Sequence, residues 1–164
     1  MAADSTHSLD VLEAERAIER LIYRYSYVID EGDVAGYLAL FDGEGHVEIQ
    51  GALANRFGPE HPLPWEAPGL AMGARRTERG LLFQGREVLS RFSAPTQAVV
   101  RMQHVVTQPL ISVLSATEAT AISYMRVYAQ RPDQPPALEI VGRYHDRFRK
   151  TAEGWRFATR VIEI

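Results

Sequence analysis

The last third of the chain constrains its fold most. Residues 99–114, 119–130, 138–150 and 155–163 are four long stretches rich in β-branched and aromatic residues. They are separated by "SATE", "RPDQPP" and "TAEG". Connections as short as the first and last favour antiparallel hairpins, with "RPDQPP" as a longer turn. In the closing hairpin, "GRYHDRFRKTAEGWRF", Arg143, His145, Arg147 and Arg149 fall on one face. Gly142, Tyr144, Asp146 and Phe148 fall on the other. One face is therefore predicted to meet solvent or a partner, and the other to line an interior.

The N-terminal part is helical in pattern. Val11, Ile18, Ile22, Tyr25 and Ile29 recur at spacings of 7, 4, 3 and 4, an apolar stripe at helical period. Ser8 or Asp10 is the expected cap, and Gly32 the expected stop. Asp33 then reads as the N-cap of a short helix over "VAGYLALF", followed by a "DGEG" turn and a strand, "HVEIQ". The segment 52–76 holds Pro59, Pro62, Pro64 and Pro68 and is predicted to be a loop, with Phe57, Leu63 and Trp65 as apolar anchors. "GREVLSRF" reads as a further short helix. Helices followed by a run of strands predict an α+β fold, with the helices packed on one face of a curved antiparallel sheet. The 164 residues fit a single domain, with 52–76 as a loop insertion.

Composition excludes several functions. The net charge of −3 supplies no global attraction for nucleic acid or an anionic membrane. The absence of cysteine removes disulfides, thiol nucleophiles and thiolate metal sites. No stretch is long enough to span a bilayer, and a cytoplasmic protein is expected. Phosphate-binding glycine loops, nucleophile elbows and H-E-x-x-H are missing. His46 and Glu48 share a strand face, but two such residues do not make a metal centre, and a solvated face accounts for them. No metal or cofactor is expected.

Two residues have chemical promise. Asp30 falls at the C-terminal end of the first helix, where the macrodipole disfavours negative charge. That suits a base better than a structural acid, although a solvated helix end beside Glu31 and Asp33 accounts for it too. His104 opens "HVVTQPL" and shares its face with Val106 and Gln108. It is either an acid–base catalyst or a hydrogen-bonded core or edge histidine. Tyr23, Tyr25, Tyr27 and Tyr144 are expected to be mostly packing, with one or two lining a cavity.

Taken together, "YRYSYVIDEGD", "YLALFDGEGHVEIQG", "QHVVTQPLIS" and the closing hairpin resemble SnoaL-like domains of the nuclear-transport-factor-2-like superfamily. That superfamily includes polyketide cyclases, scytalone dehydratase, a bile-acid dehydratase, a hexachlorocyclohexane dehydrochlorinase and dioxygenase small subunits. The resemblance implies a cone of curved sheet closed by N-terminal helices around an apolar cavity, a cystatin-like α+β barrel. It places the dehydratase branch's aspartate on Asp30 and its paired histidine on His104. It places substrate-contacting residues on Tyr25, Tyr144, Asp146 and Arg160. The second histidine of scytalone dehydratase has no counterpart in "GLLFQGRE", so a different substrate is implied. So is a small cofactor-independent dehydratase, isomerase or cyclase acting on a cyclic or aromatic hydrophobic molecule, in a dimer or larger homo-oligomer. The alternative is a non-catalytic binding or assembly protein, as dioxygenase small subunits are.

Overall fold

A computed structural model describes residues 2–51, 66–94 and 100–164, and the side chains of 2–8, 66 and 67 are outside the description. The first helix, α1 (Ala2–Asp30), begins earlier than its capping residues suggest. No proline or glycine interrupts the chain between Ala2 and Asp10, so Asp10 lies inside the helix instead of capping it. Ala14, Ile18, Leu21, Ile22, Tyr25 and Val28 are its buried face. Tyr23 and Tyr27, each about 200° around the helix from Tyr25, are exposed. Gly32, at φ 66°, takes the left-handed conformation that ends α1. The Asp33 N–H donates back to the Val28 carbonyl at 2.8 Å. Asp33 also caps α2 (Val34–Leu38), accepting from the Gly36 N–H at 2.8 Å.

The strands are β1 (Phe41–Gln50), β2 (Arg75–Arg76), β3 (Gly80–Gln84), β4 (Arg101–Val113), β5 (Glu118–Gln130), β6 (Ala137–Thr151) and β7 (Gly154–Glu163). They form one sheet in the order β2-β3-β1-β7-β6-β5-β4, curved but not closed on itself. Neighbours are antiparallel except β1 and β7, which run parallel. Those two strands are joined by most of the chain, so no hairpin dictates their direction. The expected "DGEG" turn is absorbed into β1, where the register against β7 shifts between Phe41 and His46.

Two short helices complete the described fold: α3 (Glu66–Ala71) and α4 (Arg86–Ser93). The first of these, with β2, corrects the expectation of a structureless 52–76. Pro68 is tolerated in the first turn of α3, where its missing N–H has no intrahelical partner to lose. Phe57, Leu63 and Trp65 lie outside the described residues. The strand β3 was not foreseen. It is only five residues long, with Leu81 and Phe83 buried.

The core lies between α1 and the concave face of the sheet. As the closing hairpin's alternation implies, Tyr144, Asp146 and Phe148 are buried while Arg143, Arg147 and Arg149 are exposed and His145 is half-exposed.

Candidate active site

The C-terminus of α1 abuts the edge strand β4. This brings Asp30 to His104, 74 residues away in sequence. Oδ1 of Asp30 lies 2.5 Å from Nδ1 of His104. The backbone N–H of His104 donates to the same carboxylate, 2.9 Å from Oδ2 and 3.2 Å from Oδ1. This N–H is available because, among the described residues, β4 has no strand neighbour on that side. With Nδ1–H donating to the carboxylate, Nε2 is the ring nitrogen left to take a proton. No hydrogen bond engages Nε2 among the described residues. The two side chains are 13% and 18% exposed, so they are largely shielded but not sealed.

Asp30 and His104 line a cavity of about 500 Å³, a size that suits a small organic ligand. Its walls are mainly apolar: Ile49, Met125, Val127, Ile140 and Ile162, with Tyr25 and Tyr144. Glu31, Arg101 and Arg131 also line it, and sequence reasoning did not single them out. Arg131 is held by Glu139 at 2.5 Å. Arg101 opens β4 and Arg131 follows β5, and charged residues at strand ends give no periodic signal; Glu31 directly follows α1.

The six residues expected at the site separate into two groups. Asp30, His104, Tyr25 and Tyr144 line the cavity. Asp146 and Arg160 do not. They form a buried bidentate pair behind the lining, with Nε of Arg160 2.8 Å from Oδ1 and Nη2 2.7 Å from Oδ2 of Asp146. Both side chains are fully shielded from solvent. The guanidinium carbon of Arg160 lies 4.0 Å from the ring centre of Tyr25, 3.9 Å from that of Tyr144 and 4.3 Å from that of Phe157. Burial works against the charge of Arg160, but the Asp146 carboxylate and its hydrogen bonds outweigh it and hold the guanidinium above its ordinary pKa. Burial also pushes up the phenols of Tyr25, Tyr37 and Tyr144. These tyrosines are therefore neutral donors at ordinary pH.

His46 and Glu48 both lie on β1. Glu48 accepts a hydrogen bond from the Thr77 hydroxyl at 3.0 Å. Among the described residues no group of three or more potential ligands converges on one point.

A model of the SnoaL-like domain matches residues 10–161. The chain belongs to the SnoaL-like domain family. Solved structures share the fold of this SnoaL-like chain. A protein assigned as a scytalone dehydratase from Novosphingobium aromaticivorans is 21% identical, with TM-score 0.68 over 94% of this chain and 86% of that one. An NTF2-like protein with a cystatin-like fold from the same organism is 18% identical, with TM-score 0.71 over 99% and 88%. The β subunit assigned to an aromatic-ring-hydroxylating dioxygenase, again from N. aromaticivorans, is 15% identical, with TM-score 0.71 over 93% and 90%. No curated protein sequence matches the chain. Among the described residues no helix is long and apolar enough to cross a membrane.

Proposed function

We propose that this SnoaL-like chain is a small acid–base enzyme of the dehydratase or cyclase type. On this reading it acts on a cyclic or aromatic hydrophobic molecule without an added cofactor. The observation that carries the reading is the short Asp30–His104 contact in the wall of an apolar cavity. In this mechanism Nε2 of His104 removes a proton from a carbon next to a carbonyl or leaving group. Asp30 holds the Nδ1–H tautomer and stabilises the imidazolium that forms, the part an aspartate plays in a hydrolytic triad. The same imidazolium then returns the proton, to a departing hydroxyl in a dehydration or to another atom of the substrate in an isomerisation. Tyr25 and Tyr144, neutral and buried, donate to a substrate oxygen.

The first half-reaction can be tested without knowing the natural substrate. 2-Tetralone, an enolisable ketone fused to an aromatic ring, is incubated with the protein in D₂O, and loss of the α-proton signals is followed by NMR. Wild-type protein is expected to accelerate exchange. His104→Ala is expected to lose about 10²–10⁴-fold of that acceleration, the usual share of a positioned acid–base group. Exchange that is catalysed equally well by the variant would refute the assignment.

A second reading, assembly, draws on the outer face of the sheet. Ile122, Tyr124 and Val141 are exposed there beside Arg126 and Arg143. We propose that this face pairs two copies of the chain in solution. Tyr124→Glu is expected to shift the mass measured by light scattering to that of a monomer. An unchanged mass would remove this face from consideration.

A further inference from the structure

The strand registers give the concave face row by row. Phe148 and Phe41 both pair with Phe157 in the deepest row. Asp146, Arg160, Val47 and Phe83 form the next. Tyr144, Ile162, Ile49 and Leu81 follow. Beyond them Met125 faces Gly142, and Val127 lies between Ile140 and His104. The cavity ends on the Tyr144 row, since Tyr144, Ile162 and Ile49 line it and Asp146 and Arg160 do not. The ion pair is thus one row beneath the cavity floor, and His104 is towards the other end.

Stability does not account for a charge pair at this depth. Removing both ions from water is costly, and an apolar pair of similar volume serves a core equally well or better. The row beneath is already built of phenylalanines. Arg160 nonetheless sits against the two rings, Tyr25 and Tyr144, that the cavity and the ion pair share. Among the described residues its Nη1 has no hydrogen-bond acceptor. Burial raises both phenols most. At each of them the lowering effect of Arg160 exceeds the raising effect of Asp146. Of the two members of the pair, the cation is therefore felt more at both phenols, while at Tyr144 the neighbouring Tyr25 and the Asp30 carboxylate act in the raising direction. Tyr37 from α2 is the other titratable group packed on Tyr25, 5.4 Å between ring centres, and it too is held neutral by burial.

We propose that Arg160 is a positioning residue of this cavity. It clamps Tyr25 and Tyr144 in the floor and makes the deep end favour a ligand bearing negative charge on oxygen, such as a phenolate or the enolate of a cyclic ketone. Only the enolate part rests on the acid–base reading of Asp30 and His104, because binding of a phenolate needs no turnover.

The probe is 4-nitrophenol, whose two protonation states differ in visible absorbance. Bound to the wild-type protein, it is expected to ionise about one pH unit lower than free dye, equivalent to about tenfold tighter binding of the anion than of the phenol. The double replacement Asp146→Leu with Arg160→Met is expected to lose the shift, and Arg160→Lys to keep part of it. His104→Ala should retain the shift in full while losing ketone exchange, so failure of the catalytic reading and failure of this one are separable. Bound dye that ionises at higher pH than free dye, the effect of apolar burial alone, overturns the proposal with the wild-type protein only. So does failure of the phenolate to bind. A shift that survives the double replacement in folded protein, or one that vanishes in His104→Ala, also overturns it.

Discussion

Two carboxylates in this molecule each hold a nitrogen base, and they are built for opposite purposes. Asp30 meets His104 at the cavity wall, where both are partly open to solvent. Asp146 meets Arg160 with no solvent access and with a base that never gives its proton up. The first pair comes from a helix end and an edge strand, two elements that meet only in the finished fold. The second joins directly opposed residues of one hairpin. Exposure and partner chemistry, more than the presence of a carboxylate, distinguish the two pairs.

Substitutions at corresponding positions sharpen this contrast. The largest effect is expected on rate. Asp30→Asn leaves a hydrogen-bond acceptor for His104 but removes the charge that supports the imidazolium, and ketone exchange should fall by about 10²-fold or more. Its thermal unfolding should change little, and a collapse of stability comparable to that of the buried pair would erase the distinction. Next comes Arg160→Met. It strands the Asp146 carboxylate in the core and should cost about 3–5 kcal/mol of stability by chemical denaturation. A loss under about 1 kcal/mol would show that the carboxylate finds water or another donor. Smaller still is the effect of replacing both partners, Asp146→Leu with Arg160→Met. This should restore most of that loss, because neither charge is left unpaired. If the double variant is as unstable as the single one, the cost lies in packing against Tyr25 and Tyr144.

The smallest effect expected is spectroscopic. Tyr25, Tyr37 and Tyr144 have folded-state pKa values raised by burial. The stability linked to them is therefore complete below about pH 10, the unfolded phenol value, and is lost as pH rises towards their folded values. Ultraviolet titration should show these three ionising only as the chain unfolds. Phenolate signal from all seven tyrosines before unfolding would mean that the floor is open to water.

Much of this was legible in the sequence, for physical reasons. The four long strands and α4 follow from alternation, turn residues and helical period, and their observed limits fall within about two residues of those read. The polarity of β6 was equally plain. Asp30 and His104 were chemically ambiguous as isolated residues, and only the likeness of the surrounding motifs paired them. Arg160 shows where alternation fails. Counting back from the turn, Thr151 faces Gly154 and Phe148 faces Phe157, but Arg147 then faces Thr159. One extra residue in β7, at the bulge that includes Ala158, reverses the side on which everything after it points. Strict alternation from Trp155 and Phe157 would have put Arg160 outside. A bulge of one residue leaves no periodic mark in so short a strand. The short β2 and β3 and the helix α3 were hidden by length and by a proline that a first turn accepts.

The contact between Asp30 and the backbone N–H of His104 also bears on solubility. An unpaired strand edge is a template for another chain. Here a side chain from α1 occupies one of the donors of β4 that no strand among the described residues pairs with. Farther along the same strand, the register against β5 shifts between Thr107 and Leu110, and Gln108 adopts a φ of 54° beside Pro109. The edge is thus interrupted there as well. A lesion at Asp30 that removes the acceptor altogether, such as Asp30→Ala, should therefore leave a protein that is inactive and also more prone to self-association through β4. On the proposed acid–base reading, activity and colloidal behaviour would share a single carboxylate.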